Sequence, residues 1–207
     1  MLLAKNLSFE RSGKCLFQNL DLSVPPRKII QIKGRNGVGK TTLIKILSNI
    51  LIPKTGDIYW NGKNIRKDTN DFFKNLTLVM DTNTSKNDMT VYENIKFWQN
   101  LFVSPIQENG IDSMLEVLNI QNYKNTLVKH LSFGEKRKLE ISRLIIENKK
   151  LWILDDLYLG LDNITINICN ETFKNHIKSE GMIICSSHHQ LEIQGVDIID
   201  LESYESN

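Results

Sequence analysis

The chain has 207 residues, 41% hydrophobic and 24% charged, with 26 Lys and Arg against 24 Asp and Glu for a formal net charge of +2. That length suits one α/β domain with a well-buried core and is short for two, and so balanced a charge leaves no electrostatic footprint for nucleic acid. Cys15, Cys169 and Cys185 are scattered without metal-ligand spacing and fit buried, reduced thiols; no apolar run approaches the roughly 20 residues of a membrane-spanning helix, and Met1-Leu2-Leu3-Ala4-Lys5-Asn6 meets charge too early for a signal peptide, so any membrane role is expected to be peripheral.

In chain order, residues 1–60 alternate in the manner of strands. Leu2-Leu3, Leu20-Asp21-Leu22-Ser23-Val24 and Asp57-Ile58-Tyr59-Trp60 are the candidates, punctuated by Pro25-Pro26 and Asn61-Gly62. Between them the apolar run Ile29-Ile30-Gln31-Ile32 reads as a strand and Leu43-Ile44-Lys45-Ile46-Leu47 as a helix. From 91 to about 130 the spacing is helical: Ile95, Trp98 and Leu101-Phe102, then Ile111, Met114-Leu115 and Leu118. Phe97, Trp98 and Phe102 are expected in a core or an interface rather than stacked on a ligand. A buried strand, Leu151-Trp152-Ile153-Leu154, and an extended run over 182–187 complete the pattern.

Gly34-Arg35-Asn36-Gly37-Val38-Gly39-Lys40-Thr41 satisfies G-x-x-x-x-G-K-[ST] between a strand and a helix, the context a phosphate-binding loop requires. Glycines let the backbone bend around a polyphosphate and turn successive N–H groups inward, where the following helix adds its positive end. Lys40 is placed to supply a point charge to the β and γ phosphates and Thr41 a hydroxyl to Mg²⁺, with Thr42 next to it as a further ATP-binding residue. A glycine-rich turn matching by accident is the bland alternative, on the order of one in a hundred for a chain of this length.

Leu151-Trp152-Ile153-Leu154 delivers Asp155 and Asp156 to the C-terminal end of a strand, where open parallel sheets bind ligands. Asp155 is placed to hold Mg²⁺ and Asp156 to orient or polarise an attacking water. A strand that stops at a polar turn fits the same residues.

Leu131-Ser132-Phe133-Gly134-Glu135, followed by Lys136, Arg137 and Lys138, resembles the L-S-G-G-Q signature of ATP-binding-cassette ATPases. Asp156-Leu157-Tyr158-Leu159-Gly160-Leu161-Asp162 resembles that family's run from catalytic acid to D-loop, and Ser186-Ser187-His188 its switch histidine. The resemblance implies an α/β P-loop NTPase with a RecA-like core, an antiparallel β subdomain and an inserted helical subdomain over about 84–147, the whole of 1–207 forming one nucleotide-binding domain. It also implies ATP and Mg²⁺ as ligands and a second nucleotide-binding domain, as a homodimer, stacked head to tail. The signature of one copy then covers the γ-phosphate held by the P-loop of the other, through Ser132, the Gly134 N–H and the start of a helix over 136–146. Separate integral-membrane subunits are implied as partners, at the cytoplasmic face of the inner membrane.

Leu16-Phe17-Gln18-Asn19-Leu20, Glu93-Asn94-Ile95-Lys96-Phe97-Trp98 and Leu151-Trp152-Ile153-Leu154-Asp155 are similar to stretches of the ATP-binding subunits of haem exporters used in cytochrome c maturation. That likeness implies a role in haem handling. The departures bear on rate. Asp156 stands where the family has glutamate, withdrawing the carboxylate by about 1.5 Å. A displacement of about 1 Å at a reacting group can cost on the order of 10²-fold, so slow hydrolysis is expected while ATP binding survives. Asp81 falls at the Q-loop position that contacts Mg²⁺ and water in the family, Glu135 replaces the last signature residue, and Leu157 replaces a proline.

His188 is the expected γ-phosphate sensor. His188 and His189, adjacent on an extended chain, point to opposite faces and make a poor metal pair. His130 and His176 are expected at the surface. Arg11 aligns with the position where the family stacks an aromatic on adenine, and a guanidinium can stack on a π-face too; Phe9 and Phe17 are the fallback candidates. Three other readings stay open: a nucleotide-gated clamp with little hydrolysis, motivated by Asp156 and Asp81; an ABC subunit for another substrate; and a soluble DNA-repair or translation ATPase, whose coiled-coil insertion or second cassette this sequence lacks.

Overall fold

The computed structural model describes residues 1–156, 158–187 and 191–205. Strands β1 (Leu2–Arg11) and β2 (Lys14–Val24) form a hairpin. Its turn residues Ser12 and Gly13 both have positive φ, 52° and 78°, the two-residue geometry whose twist matches that of antiparallel strands. On its other edge β1 pairs with β4 (Thr55–Trp60), which turns through Asn61-Gly62 into β5 (Lys63–Asn64), giving an antiparallel sheet in the order β2-β1-β4-β5.

The second sheet takes β3 (Lys28–Lys33), β6 (Leu76–Val79), β7 (Leu151–Leu154), β8 (Met182–Ser186) and β9 (Val196–Asp200) in the order β6-β7-β8-β3-β9, every pair parallel. Around it lie α1 (Lys40–Leu47), α2 (Thr69–Asn75), α3 (Val91–Leu101), α4 (Glu108–Val117), α5 (Phe133–Glu147) and α6 (Asn163–Lys178). Among the described residues no helix is long and apolar enough to cross a membrane.

The central strands are buried on both faces, as parallel strands covered by helices must be. Trp152 and Leu154 of β7, with Ile183 and Cys185 of β8, enter a core shared with α3, α4, α5 and α6. The intervening Leu151, Ile153, Met182 and Ile184 enter a second core formed with α1 and the antiparallel sheet. Period-two alternation thus divides one sheet between two hydrophobic clusters.

The helical middle is less continuous than its spacing predicts. Helix exists over Val91–Leu101 and Glu108–Val117, then only single 3-10 turns at Gln121–Tyr123 and Val128–His130. Trp98 is buried and Phe97 and Phe102 pack against the same cluster, whereas Leu101 is exposed. The helix expected over 136–146 begins three residues earlier, at Phe133, because Ser132 caps it. Cys169 and Cys185 are buried as expected, whereas Cys15, on the edge strand β2, is only half-buried; Phe9, partly buried against the second core, stacks on Phe17 inside it.

One histidine departs from expectation. His130 is exposed, but His176 lies flat on Trp152, ring centroids 3.5 Å apart and planes 7° apart, with Nε2 3.2 Å from the Lys150 carbonyl. Burial pushes its pKa down to about 4.

Candidate functional site

Register brings the functional segments to one edge. Val79 pairs with Leu154, Leu154 with Cys185, and Ile32 with Ser186. The chain therefore leaves β6, β7, β8 and β3 at one level, at the C-terminal edge where doubly wound sheets bind ligands. A cavity of about 280 Å³ opens there. Asn36, Gly37, Gly39, Lys40, Thr41 and Thr42 line one side; Asp155, Asp156 and Ser186 line another, with Arg11 and Leu16 at its remaining wall.

The phosphate loop owes its shape to two crowded glycines. Gly34 has φ 140°, and a Cβ there would come 2.8 Å from Val38 Cγ1; Gly39 has φ 117°, and its Cβ would press on Leu16. Gly39 is the N-cap of α1 and has no side chain to cap it, and the first turn of the helix holds no acid. Its leading N–H groups are left for an anion. Lys40 Nζ donates to the carbonyls of Gly34 (2.8 Å) and Arg35 (3.1 Å), which holds the ammonium at the mouth of the loop.

Arg35 and Val38 shape the loop from outside the cavity. The Arg35 N–H donates to Glu202 Oε1 at 2.7 Å, and its guanidinium reaches Glu205 at 2.7 Å and Glu202 at 3.3 Å. Val38 is buried.

Asp155 is 1% exposed. Its Oδ1 accepts from Ser186 Oγ at 2.6 Å, while its buried Oδ2 accepts no hydrogen bond from the described residues. An orphaned buried acceptor costs about 1–3 kcal/mol unless a ligand meets it. Asp155 and Thr41 line the same cavity, a carboxylate and a hydroxyl that suit Mg²⁺, which binds one or two carboxylates together with phosphate oxygens. No group of three His, Cys, Asp or Glu among the described residues could hold a metal without such help.

Asp156 follows with φ 46°, a left-handed conformation that Asp tolerates better than most residues. Its N–H donates to Ser186 Oγ at 2.9 Å. Ser186 thus fastens both acids, one by its proton and one by its lone pair. Asp81, by contrast, is exposed just after Met80 and lies outside the cavity lining.

The Leu131–Glu135 segment is built as a helix start. Leu131 is buried; Ser132 Oγ accepts from the Glu135 N–H at 3.3 Å and Glu135 Oε2 accepts from the Ser132 N–H at 2.7 Å, a complete capping box. A hydrogen bond from Tyr123 holds the Glu135 carboxyl below its ordinary pKa. Phe133 is half exposed and its ring packs on Gly160, where no Cβ would fit; a Cβ on Gly134 would come 2.8 Å from the Gly160 carbonyl.

Asp162 caps α6. Its Oδ1 accepts from the Thr165 N–H (2.7 Å) and hydroxyl (2.8 Å), its Oδ2 meets Lys138 Nζ at 3.0 Å, and these partners hold its pKa at about 2. His188, the expected sensor, and Leu157 lie outside the described residues.

Sequence reasoning passed over Ser186 as a site residue, although it adjoins the expected sensor. It also passed over Leu16, which reads as an ordinary strand residue, and Glu140. Glu140 is fully buried and accepts the Thr84 and Ser85 N–H groups and the Thr84 hydroxyl, each at 2.7 Å, fixing the loop that follows β6. A glutamate within a run of charged helix residues gives no sign of that contact.

A family model described as "ABC transporter" matches residues 17–158. The chain is 36% identical to the cytochrome c biogenesis ATP-binding export protein CcmA of Reclinomonas americana, over 91% of this chain and 85% of that protein. It is 31% identical to the CcmA of Dechloromonas aromatica, over 97% and 98% of the two chains. Among solved structures, a putative ABC transporter ATP-binding protein from Pyrococcus furiosus superposes with TM-score 0.85 at 23% identity, covering 99% of each chain. The cbiO1 protein from Clostridium perfringens, part of the ABC transporter complex cbiONQ, superposes with TM-score 0.70 at 24% identity, covering 97% of this chain and 84% of that one. The likeness to these two structures is one of fold.

Proposed function

This chain belongs to the ABC transporter family as an ATP-binding ATPase subunit, and we propose that it powers export-linked haem handling in cytochrome c biogenesis, docked on separate membrane subunits at the cytoplasmic face of the membrane. The observation that carries the reading is one cavity lined both by the start of α1, with Gly39 as its N-cap, and by Asp155, whose Oδ2 has no hydrogen-bond partner among the described residues. The names of the CcmA relatives support the pathway. Residues 1–207 act as a single nucleotide-binding domain, with the helices of about 84–147 as its inserted subdomain.

In this reading the triphosphate lies along Gly34 to Thr42, with the adenine toward Arg11. Lys40 exchanges the carbonyls of Gly34 and Arg35 for β and γ oxygens, and the N–H groups leading α1 face the same anion. Thr41 and Asp155 hold Mg²⁺, which neutralises charge on the phosphates when bound. Asp156 orients the attacking water and His188 contacts the γ-phosphate. Ser132 and Gly134 of a second copy close the site, so two chains are needed for a complete centre and a symmetric pair carries the same Asp156 twice.

Asp156 also supports a second reading, a clamp that binds ATP and turns it over slowly. Phosphate release by wild type and Asp156→Glu separates the two. Extending the carboxylate is expected to raise turnover by up to about 10²-fold, and the longer residue at φ 46° is expected to lower the melting temperature. Equal rates would mean that the carboxylate's reach does not limit turnover, and absence of hydrolysis in both would leave only the clamp.

A further inference from the structure

Arg137 is 1% exposed and lies in the second turn of α5. Its Nη2 donates to the main-chain carbonyls of Asp155 (2.8 Å) and Asp156 (3.0 Å), and its Nη1 donates to the carbonyl of Met80. One guanidinium therefore gathers the chain just beyond β6 and just beyond β7. Burying a cation is costly unless it is hydrogen-bonded and electrostatically paired. Here burial lowers the pKa of the guanidinium, and the carboxylates of Glu140, Asp156, Asp155 and Asp81 act in the opposite direction.

We propose that Arg137 is a positioning residue for hydrolysis, fixing the main chain of the acid pair so that the Asp156 carboxylate is presented to the cavity. The inference rests on the reading of Asp156 as the residue that orients the attacking water. Asp156 holds a left-handed backbone at φ 46°, a conformation that persists where the surrounding structure supports it. Ser186 Oγ takes its N–H and Arg137 takes its C=O, which restrains the peptide units on both sides of the Asp156 Cα.

The planar fork of arginine lets Nη1 take the Met80 carbonyl while Nη2 takes those of Asp155 and Asp156, a reach across two segments that the single ammonium of lysine does not reproduce. Arg137 belongs to α5, whose N-terminus is the Ser132–Gly134 tip, so one helix carries both that tip and the guanidinium that holds the Asp156 carbonyl. Phe133 against Gly160 and Lys138 against Asp162 fasten the same helix to the chain beyond the acids.

The test uses the whole chain, with trinitrophenyl-ATP titration for affinity and phosphate release for kcat. Arg137→Lys and Arg137→Ala are expected to lower kcat by about 10²-fold while affinity stays within about threefold of wild type, the pattern of an interaction that matters to the chemical step rather than to ground-state binding. Guanidinium ion, and not urea, is expected to restore the Arg137→Ala rate by about tenfold. Unchanged kcat, a matched loss of affinity and kcat, or equal rescue by urea would overturn the assignment. If Arg137→Ala does not fold, Arg137→Lys decides through the same split. A wild-type chain that binds nucleotide without turnover would instead defeat the proposed function, and the role of Arg137 with it.

Discussion

The N-termini of α1 and α5 both fall within glycine-bearing motifs, and they are finished in opposite ways. At α1 the cap is Gly39, which has no side chain to accept from the first turn; that turn holds no acid, and a lysine ammonium is held ready by two carbonyls. At α5 Ser132 and Glu135 satisfy each other's backbone donors, and Phe133 and Gly134 lie against Gly160. An open helix end is an anion site within its own chain. A capped end is stable by itself and can meet an anion only from outside, with the donors its capping box leaves over. The difference accords with a division of labour in which one end grips a nucleotide and the other covers a nucleotide gripped elsewhere.

The contrast can be broken most directly at the open end. Lys40→Ala removes the point charge, and phosphate release is expected to fall by about 10²–10³-fold, a loss of the size seen when one transition-state donor is deleted. Activity within a few-fold of wild type would show that α1 is not where the γ-phosphate is held.

At the capped end the expected change is smaller and of a different kind. Ser132→Ala deletes a helix cap worth about 1 kcal/mol, which lowers the melting temperature by about 2–4 °C in a chain of this size. Affinity for nucleotide in the variant's own P-loop is expected to be unchanged. A turnover loss exceeding what that destabilisation allows, appearing only at concentrations that pair two chains, would sharpen the contrast. A direct loss of monomer affinity would erase it.

The smallest effect on nucleotide handling lies away from both ends. His176, stacked on Trp152, has its pKa pushed from 6.5 down to about 4. The unfolded chain therefore binds the proton more readily, so this residue costs no stability above pH 6.5 and an increasing amount as pH falls from 6.5 toward 4. His176→Phe keeps a flat ring on Trp152 and is expected to remove that part of the acid destabilisation, read as a shallower fall in melting temperature between pH 7 and pH 5. Nucleotide affinity at pH 7 should not change, which makes the variant a control for the two helix ends.

Legibility in the sequence followed the range of the interaction. The phosphate loop was readable because its glycines, lysine and threonine answer to one another over eight residues and need only a strand before and a helix after. The Ser132–Glu135 box was visible only as part of a family-like motif, and its capping role moved the start of α5 from 136 to Phe133. His176 was misjudged because nothing within a few residues announces that Trp152, across the fold, will cover its ring. Ser186, Glu140 and Arg137 were passed over as site residues for the same reason: their partners lie 18 to 57 residues away.

By itself the sequence determined the chemistry on offer and its local geometry: a cradle for phosphate, a pair of acids at the end of an apolar strand, and a helix tip bearing serine and glycine. Local backbone preferences and hydrophobic periodicity act over a few residues, so they can be read along a line. Only the tertiary structure decided that the acids share a cavity with the cradle, that one serine fastens both of them, and that a buried arginine from α5 holds their carbonyls. Those outcomes depend on strand order, register and burial, which emerge when distant segments exclude water together and each buried polar group must find its partner wherever packing has placed one.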